Sequence, residues 1–158
     1  MSLVNYLTIK NNLVVYLQSN FATLNTNALD NTVFNQDNQV VAGNADLDLK
    51  MFVKMYPSIL ISVNKKMEDY AMTHQTDLEF NFILTALCKE NLSSYDNGIL
   101  TISSNLDFLF REKIKFDNNI YDCLITQSDY GIQLECDTSN IMLSRVDSLL
   151  KVKIRSCI

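Results

Sequence analysis

Residues 78–88 read LEFNFILTALC, and the alternation in this stretch decides the fold. Leu78, Phe80, Phe82, Leu84, Ala86 and Cys88 alternate with Glu79, Asn81, Ile83, Thr85 and Leu87. Successive side chains of an extended chain point to opposite faces, so the pattern predicts a half-buried β-strand with one apolar face. Upstream, after Pro57, Ile59, Ile61 and Val63 alternate with Leu60, Ser62 and Asn64 and predict another strand; Lys65–Tyr70 reads as a turn or a short second strand. Downstream, Asp96-Asn97-Gly98 marks a turn. A helix over roughly 99–113 is expected next, with Ile99, Ile102, Leu106 and Leu109 as its apolar stripe and Phe110 beside them. Arg111 and Lys113 fall at its C-terminal end, where positive charge suits the helix dipole.

Two strands are expected after that helix, one through Tyr121, Cys123 and Ile125 and one through Tyr130, Ile132, Leu134 and Cys136, joined tightly at Asp129-Tyr130-Gly131. Leu150, Val152 and Ile154 alternate with Lys151, Lys153 and Arg155 in a closing strand. At the other end of the chain, Leu3, Tyr6, Leu7, Leu13, Tyr16, Leu17 and Phe21 recur at helical spacing and predict a helix over 2–23 with Ser2 as its N-cap. Strands grouped between two helices predict an α+β fold: one mainly antiparallel sheet with two helices packed on it, in a single domain over 1–158.

Residues 24–46 differ from the rest. They are rich in Asn, Thr, Asp and Gln, with two apolar islands, Val33-Phe34 and Val40-Val41. A structureless stretch of this length is uncommon inside a compact domain. It is expected to be a polar arm outside the core whose apolar pairs meet a partner, the competing reading being a loop folded back on its own domain. Leu47, Met51 and Met55 recur at i, i+4 before Pro57, consistent with a helical turn or an extended lead into the first strand.

The 158 residues carry 47 % apolar and 20 % charged residues, enough apolar content to bury a core. The net charge is −5 and the thirteen Lys and Arg are scattered, so tight nucleic-acid binding is not expected. No apolar run reaches the roughly 18–20 residues that span a bilayer. No basic region followed by an apolar stretch opens the chain, so a cytoplasmic protein is expected. The four cysteines, Cys88, Cys123, Cys136 and Cys157, contain no Cys-x-x-Cys pair, and His74 is the single histidine. Zinc needs about four ligands, usually paired at short spacing, so reduced structural thiols and no metal are expected.

Candidate chemistry is sparse. His74 has no recognisable nucleophile or orienting acid paired with it, so a loop histidine is expected rather than a general base. Asp46 and Asp48 lack the glycine and the late Glu of a calcium loop. Asp117, Asp122, Asp129 and Asp137 fall where turns are expected, which suits backbone hydrogen bonding better than acid–base work. There is no phosphate-binding glycine loop and no His-Glu-x-x-His. No enzyme activity and no cofactor are expected. The candidate interaction residues are Val33, Phe34, Val40 and Val41 of the arm and Lys151, Lys153 and Arg155 of the closing strand. The three cations form either a docking stripe or a solvated face that discourages edge pairing.

The order of segments Leu3–Phe21, Pro57–Val63, Leu78–Cys88, Ile99–Lys113 and Leu149–Ser156 resembles, in layout and length, the tail terminator (tail completion) proteins of long-tailed phages. The resemblance implies a structural protein, not an enzyme. It implies a ring, commonly hexameric, that caps the tail tube and joins it to the head, with tail-tube and head-connector proteins as partners. It places the protein in the host cytoplasm during assembly and then in the virion. The alternative is a non-viral partner- or ligand-binding α+β module.

Overall fold

The computed structural model describes residues 5–47, 49–72, 75–94, 96–111, 116–133 and 141–157, with backbone only for 67–72, 75–77, 92, 133, 141 and 155–157. Five strands form one sheet: β1 (Val40–Ala42), β2 (Ser58–Met72), β3 (Gln75–Asn91), β4 (Ile120–Gln133) and β5 (Ile141–Cys157). Their order across the sheet is β1-β2-β3-β5-β4. Only β1 runs parallel to its neighbour; the other three pairings are antiparallel. The expected α+β architecture therefore forms, and Leu78–Cys88 lies in β3, an inner strand flanked by β2 and β5.

Alternation places Leu78, Phe80, Phe82, Leu84, Ala86 and Cys88 on one face, where they meet Ile59 and Ile61 of β2 and Val146, Leu150, Val152 and Ile154 of β5. Two helices seal this face. In α1 (Tyr6–Gln18), Ile9, Leu13 and Leu17 are buried at i, i+4, i+8. In α4 (Asn97–Arg111), Ile99, Ile102, Leu106, Leu109 and Phe110 are buried, the stripe its spacing predicts. Fully burying each such side chain contributes about 1.5–3 kcal/mol. Tyr6 stacks on Phe80 with ring centroids 5.0 Å apart.

Several boundaries differ from expectation. The first helix is capped by Asn5, whose side chain accepts from the Thr8 amide at 3.1 Å; Ser2 lies outside the described residues. The helix stops at Gln18 and a separate turn, α2 (Phe21–Leu24), follows. Between them the Asn20 side-chain Nδ2 donates to the Tyr16 carbonyl at 2.6 Å, occupying a group near the helix end. Lys65–Tyr70 is neither a turn nor a separate strand but a continuation of β2. Asp129-Tyr130-Gly131 is not a connection: it lies within β4, whose register shifts fall instead at Ile120/Asp122 and Ile125/Gln127. A two-strand expectation becomes one strand because bulges absorb the irregularity without ending the ladder. The thiols of Cys88 and Cys123 are free and buried, while nothing is described for Cys136 or for the Cys157 side chain.

The polar segment 24–46 is the largest correction. Leu24, Thr32, Phe34, Gln39, Val40 and Ala45 are buried, and Val40–Ala42 pairs with Ile59–Ile61. The segment is therefore built into the domain. Asn27, Asn35, Gln36, Asn38 and Asn44 are exposed, while Asn25 and Gln39 hydrogen-bond the backbone where no regular ladder exists. Asn25 donates to the Phe34 carbonyl and accepts from the Phe34 amide, both at 2.8 Å, which pins the ring into the core. The Gln39 side chain accepts from the amides of Asn35 and Gln36 and donates to the carbonyls of Val33 and Pro57. From α4, Asn105 donates to the carbonyls of Leu24 and Thr26. Each bond satisfies a main-chain group that burial would otherwise leave unpaired.

Candidate interaction surface

Among the described residues, the second face of the sheet is covered only in part. The short helix α3 (Leu49–Phe52) and its flanks pack Ala45 and Leu49 on Leu60, Leu87 and Leu143, with Val41, Phe52, Val53 and Tyr56 around them. Beyond this patch, the register sets out cross-strand rows on the same face. One runs Ser62, Ile83, Leu149, Gln127; the next runs Lys65, Asn81, Lys151, Leu124; a third carries Glu79, Lys153 and Asp122. Lys65, Leu124 and Asp122 are exposed, and Ile83, Leu149 and Lys151 are half-buried. Opposite charges thus alternate across Glu79, Lys153 and Asp122, an arrangement that supports strand pairing. Asn81 is 4 % exposed, and its Oδ1 has no hydrogen-bond partner.

The interaction residues expected from the sequence separate under this geometry. Phe34 and Val40 are 1 % and 0 % exposed and belong to the main core. They are core residues of their own chain because the amide network above folds the segment inward. Val41 is half-buried against the smaller cluster, and Val33 alone of the four reaches solvent, at 39 %. Lys151 and Lys153 lie on the partly covered face, interleaved with Asn81, Glu79 and Asp122 rather than forming an uninterrupted basic stripe. Arg155 is paired with Asp77 in the register, and its side chain lies outside the described residues.

The candidate catalytic groups do not converge. His74, Asp48 and Asp137 lie outside the described residues. Asp46 is exposed and ion-paired with Arg145 at 3.1 Å. Asp117 accepts from the Asn12 side chain and from the Asn119 amide, closing the loop before β4. Asp122 and Asp129 are exposed on β4. Among the described residues no group of three His, Cys, Asp or Glu is placed to hold a metal ion. Burial pushes the Cys88 and Cys123 thiols up to about 12, with Glu90 adding to the first shift and Asp122 to the second. Thiols in that state are poor nucleophiles and metal ligands.

A buried carboxylate was not apparent in the sequence. Glu90, 1 % exposed at the end of β3, accepts from the amides of Gly98 and Ile99 at the start of α4 and from Ser144 Oγ of β5 at 2.5 Å. A negative side chain there satisfies open amides and complements the helix dipole. The one available signal was Gly98 itself: a Cβ there would meet Glu90 Oε1 at 2.7 Å and Cys88 Sγ at 2.8 Å. The site joins β3, α4 and β5 and is structural.

The outer edge of β4 is also exposed. Tyr121, Leu124, Tyr130 and Ile132 along it are 40–53 % exposed. Between α4 and β4 a groove of about 340 Å³ is lined by Ser103, Asp107, Arg111, Gln127 and Tyr130 among others. Ser103 Oγ and the Tyr130 hydroxyl hydrogen-bond across it at 2.7 Å, and Asp107 and Arg111 pair at 2.7 Å.

No protein-family model matches this chain, and no curated protein matches its sequence. No helix among the described residues is long and apolar enough to cross a membrane. Among solved structures, the chain is similar to one in the virion of a native gene transfer agent (GTA) particle, with a TM-score of 0.54 and 8 % sequence identity, over 97 % of this chain and 100 % of that one. At this identity the likeness is one of fold, and it extends over essentially the whole of both chains.

Proposed function

We propose that this chain is a structural protein of a phage-like tail: a ring-forming subunit that caps the tail tube and joins it to the head. The observation that carries the reading is the end-to-end correspondence of fold with a chain of a virion particle, 97 % of one against 100 % of the other. The layout of the sequence, which resembles the tail terminator proteins, supports the same reading. The surface is compatible with it. Exposed apolar side chains lie on α1 (Leu7, Val15), on α4 (Leu100, Phe108) and along the edge strand β4 (Tyr121, Leu124, Tyr130, Ile132). Such an edge supports assembly by main-chain pairing. A ring needs a heterologous contact that closes on itself, using two different patches of each subunit. On this reading the subunit assembles in the host cytoplasm, contacts tail-tube and head-connector proteins, and remains in the virion without cofactor or catalysis.

The test is solution mass across protein concentration, joined to electron microscopy of the largest species. A closed ring of fixed subunit number that binds the end of purified tail tubes is the expected result. A chain that stays monomeric at every concentration and does not bind tubes overturns the proposal and favours a binding module.

A further inference from the structure

The sheet has two unlike ends. At one, β4 presents 14 residues whose outer side pairs with nothing among the described strands. Native sheets blunt such edges with lysine, proline or bulges. β4 contains no lysine, proline or arginine; its charges are Asp122 and Asp129, and its register shifts at Ile120/Asp122 and Ile125/Gln127. At the other end, β1 covers β2 only at Ile59–Ile61. From Ser62 onward the outer side of β2 is uncovered by any described strand, and Val63, Asn64, Lys65 and Lys66 are exposed there.

We propose that the β4 edge of one copy pairs antiparallel with the Ser62–Lys66 edge of β2 in the next copy, so that the sheets continue from subunit to subunit. The inference rests on the ring reading above and names its contact. Strand direction supports it. β2, β3, β5 and β4 alternate in direction across the sheet, so β4 and β2 run oppositely within a chain. Rotation about an axis along the strands preserves direction and delivers the next β2 antiparallel to β4.

The register supports it too. Lys65 is level with Leu124 through Asn81 and Lys151, which sets it two positions from Asp122, within diagonal reach of a long side chain. Lys65, Leu124 and Asp122 all lie on the partly covered face. The rows below are occupied by β1, level with Ser128–Tyr130, so pairing is confined to the Ile120–Gln127 half of β4. The register shift between Ile125 and Gln127 falls where β4 must bend outward past β1. The competing contact, β4 against β4 about a two-fold axis, sets a strand whose only charges are acidic against itself. Like charges across a ladder oppose pairing, so charge selects the heterologous contact.

The test uses two variants of the full chain and their mixture. Asp122→Lys with Leu124→Lys places one lysine level with Lys65 and one diagonal to it; Lys65→Glu places a carboxylate diagonal to Asp122. Each alone is expected to raise the concentration for half-assembly at least tenfold, with thermal melting verifying that each remains folded. An equimolar mixture is expected to assemble like the parent chain, because each altered edge then meets its complement. If Lys65→Glu alone changes nothing, or the chain assembles regardless of both variants, the edge contact is overturned and the ring reading stands. A parent chain that is monomeric at every concentration overturns both.

Discussion

Replacing Gln39 with alanine tests whether segment 24–46 is folded by its side-chain amides. Gln39 is 0 % exposed and makes four hydrogen bonds: from the amides of Asn35 and Gln36, both at 2.8 Å, and to the carbonyls of Val33 and Pro57, at 3.1 and 3.0 Å. The bond to Pro57 is fully buried, and leaving that carbonyl unpaired costs about 1–3 kcal/mol. The other three bonds are part-buried, and water can replace the protein partner, so each loss is worth about 0.5–1.5 kcal/mol. The expected total is about 5 kcal/mol, a large share of the roughly 5–15 kcal/mol that holds a domain together. For a chain of this length that corresponds to a fall in Tm of roughly 10–20 °C, at about 2–4 °C per kcal/mol. Asn38→Ala, at the exposed neighbouring position, is the control and is expected to change stability by less than about 0.5 kcal/mol. Urea unfolding followed by circular dichroism measures both. A loss below about 1 kcal/mol for Gln39→Ala would refute the reasoning, because the segment would then be attached too loosely for its amides to matter.

Three further outcomes follow from other parts of the structure. Glu90→Ala should cost about 3 kcal/mol or more, because two amides at the start of α4 and Ser144 lose their acceptor, whereas Glu90→Gln keeps one acceptor and should cost about 1 kcal/mol; equal losses in urea unfolding would show that the carboxylate is not the cap. Gly98→Ala should cost about 2 kcal/mol by crowding Glu90, Cys88 and Asn31, while Gly131→Ala, where an added Cβ has nothing within 4 Å, should be tolerated to about 0.5 kcal/mol; a reversed order in melting temperature would contradict the packing. Cys88 and Cys123 keep their protons in the folded state up to about pH 12, while the unfolded chain releases them near 9. The folded state therefore binds more protons in that window, and stability should fall as pH rises from 9 toward 12, by at most about 1.4 kcal/mol per pH unit for each thiol. Chemical denaturation at stepped pH should show this fall, reduced in the Cys88→Ala/Cys123→Ala variant; an unchanged slope in that variant would assign it to other groups.

The alternation of β3 and the 3.6-residue stripe of α4 were legible because each element packs one face on a core, and periodicity reports that directly. The length of β4 was not. Asp129-Tyr130-Gly131 has turn chemistry, but at an edge strand these residues remain exposed, and a polar residue or a glycine there does not interrupt the pairing to β5. The burial of Phe34 and Val40 was not legible either. It depends on Asn25, Gln39 and Asn105, and whether an amide meets water or a carbonyl is decided by tertiary placement that spacing does not encode. The two apolar islands were the usable signal, since apolar pairs in a polar segment mark points of attachment as readily as points of contact with a partner. The β4 edge lay beyond sequence reading because it follows from the sheet order, in which β5 inserts between β3 and β4.

The misplaced arm and the proposed edge contact have a common physical basis. The segment expected to reach outward instead fastens three residues, Val40–Ala42, onto Ile59–Ile61 and stops there. Gln18 anchors that end by donating to the carbonyls of Asp37 and Val40, both at 3.0 Å, and Gly43 donates once more to Ile61 before the chain turns away. A longer β1, parallel to β2, would have moved the β2 edge outward by one strand without removing it. With a three-residue β1 the open side is that of β2 itself beyond Ile61, and β2 and β4 are unlike edges of opposite strand direction, as a heterologous contact needs. The polar segment thus sets which residues of β2 stay open, and its Leu24, Phe34 and Val40 serve the core.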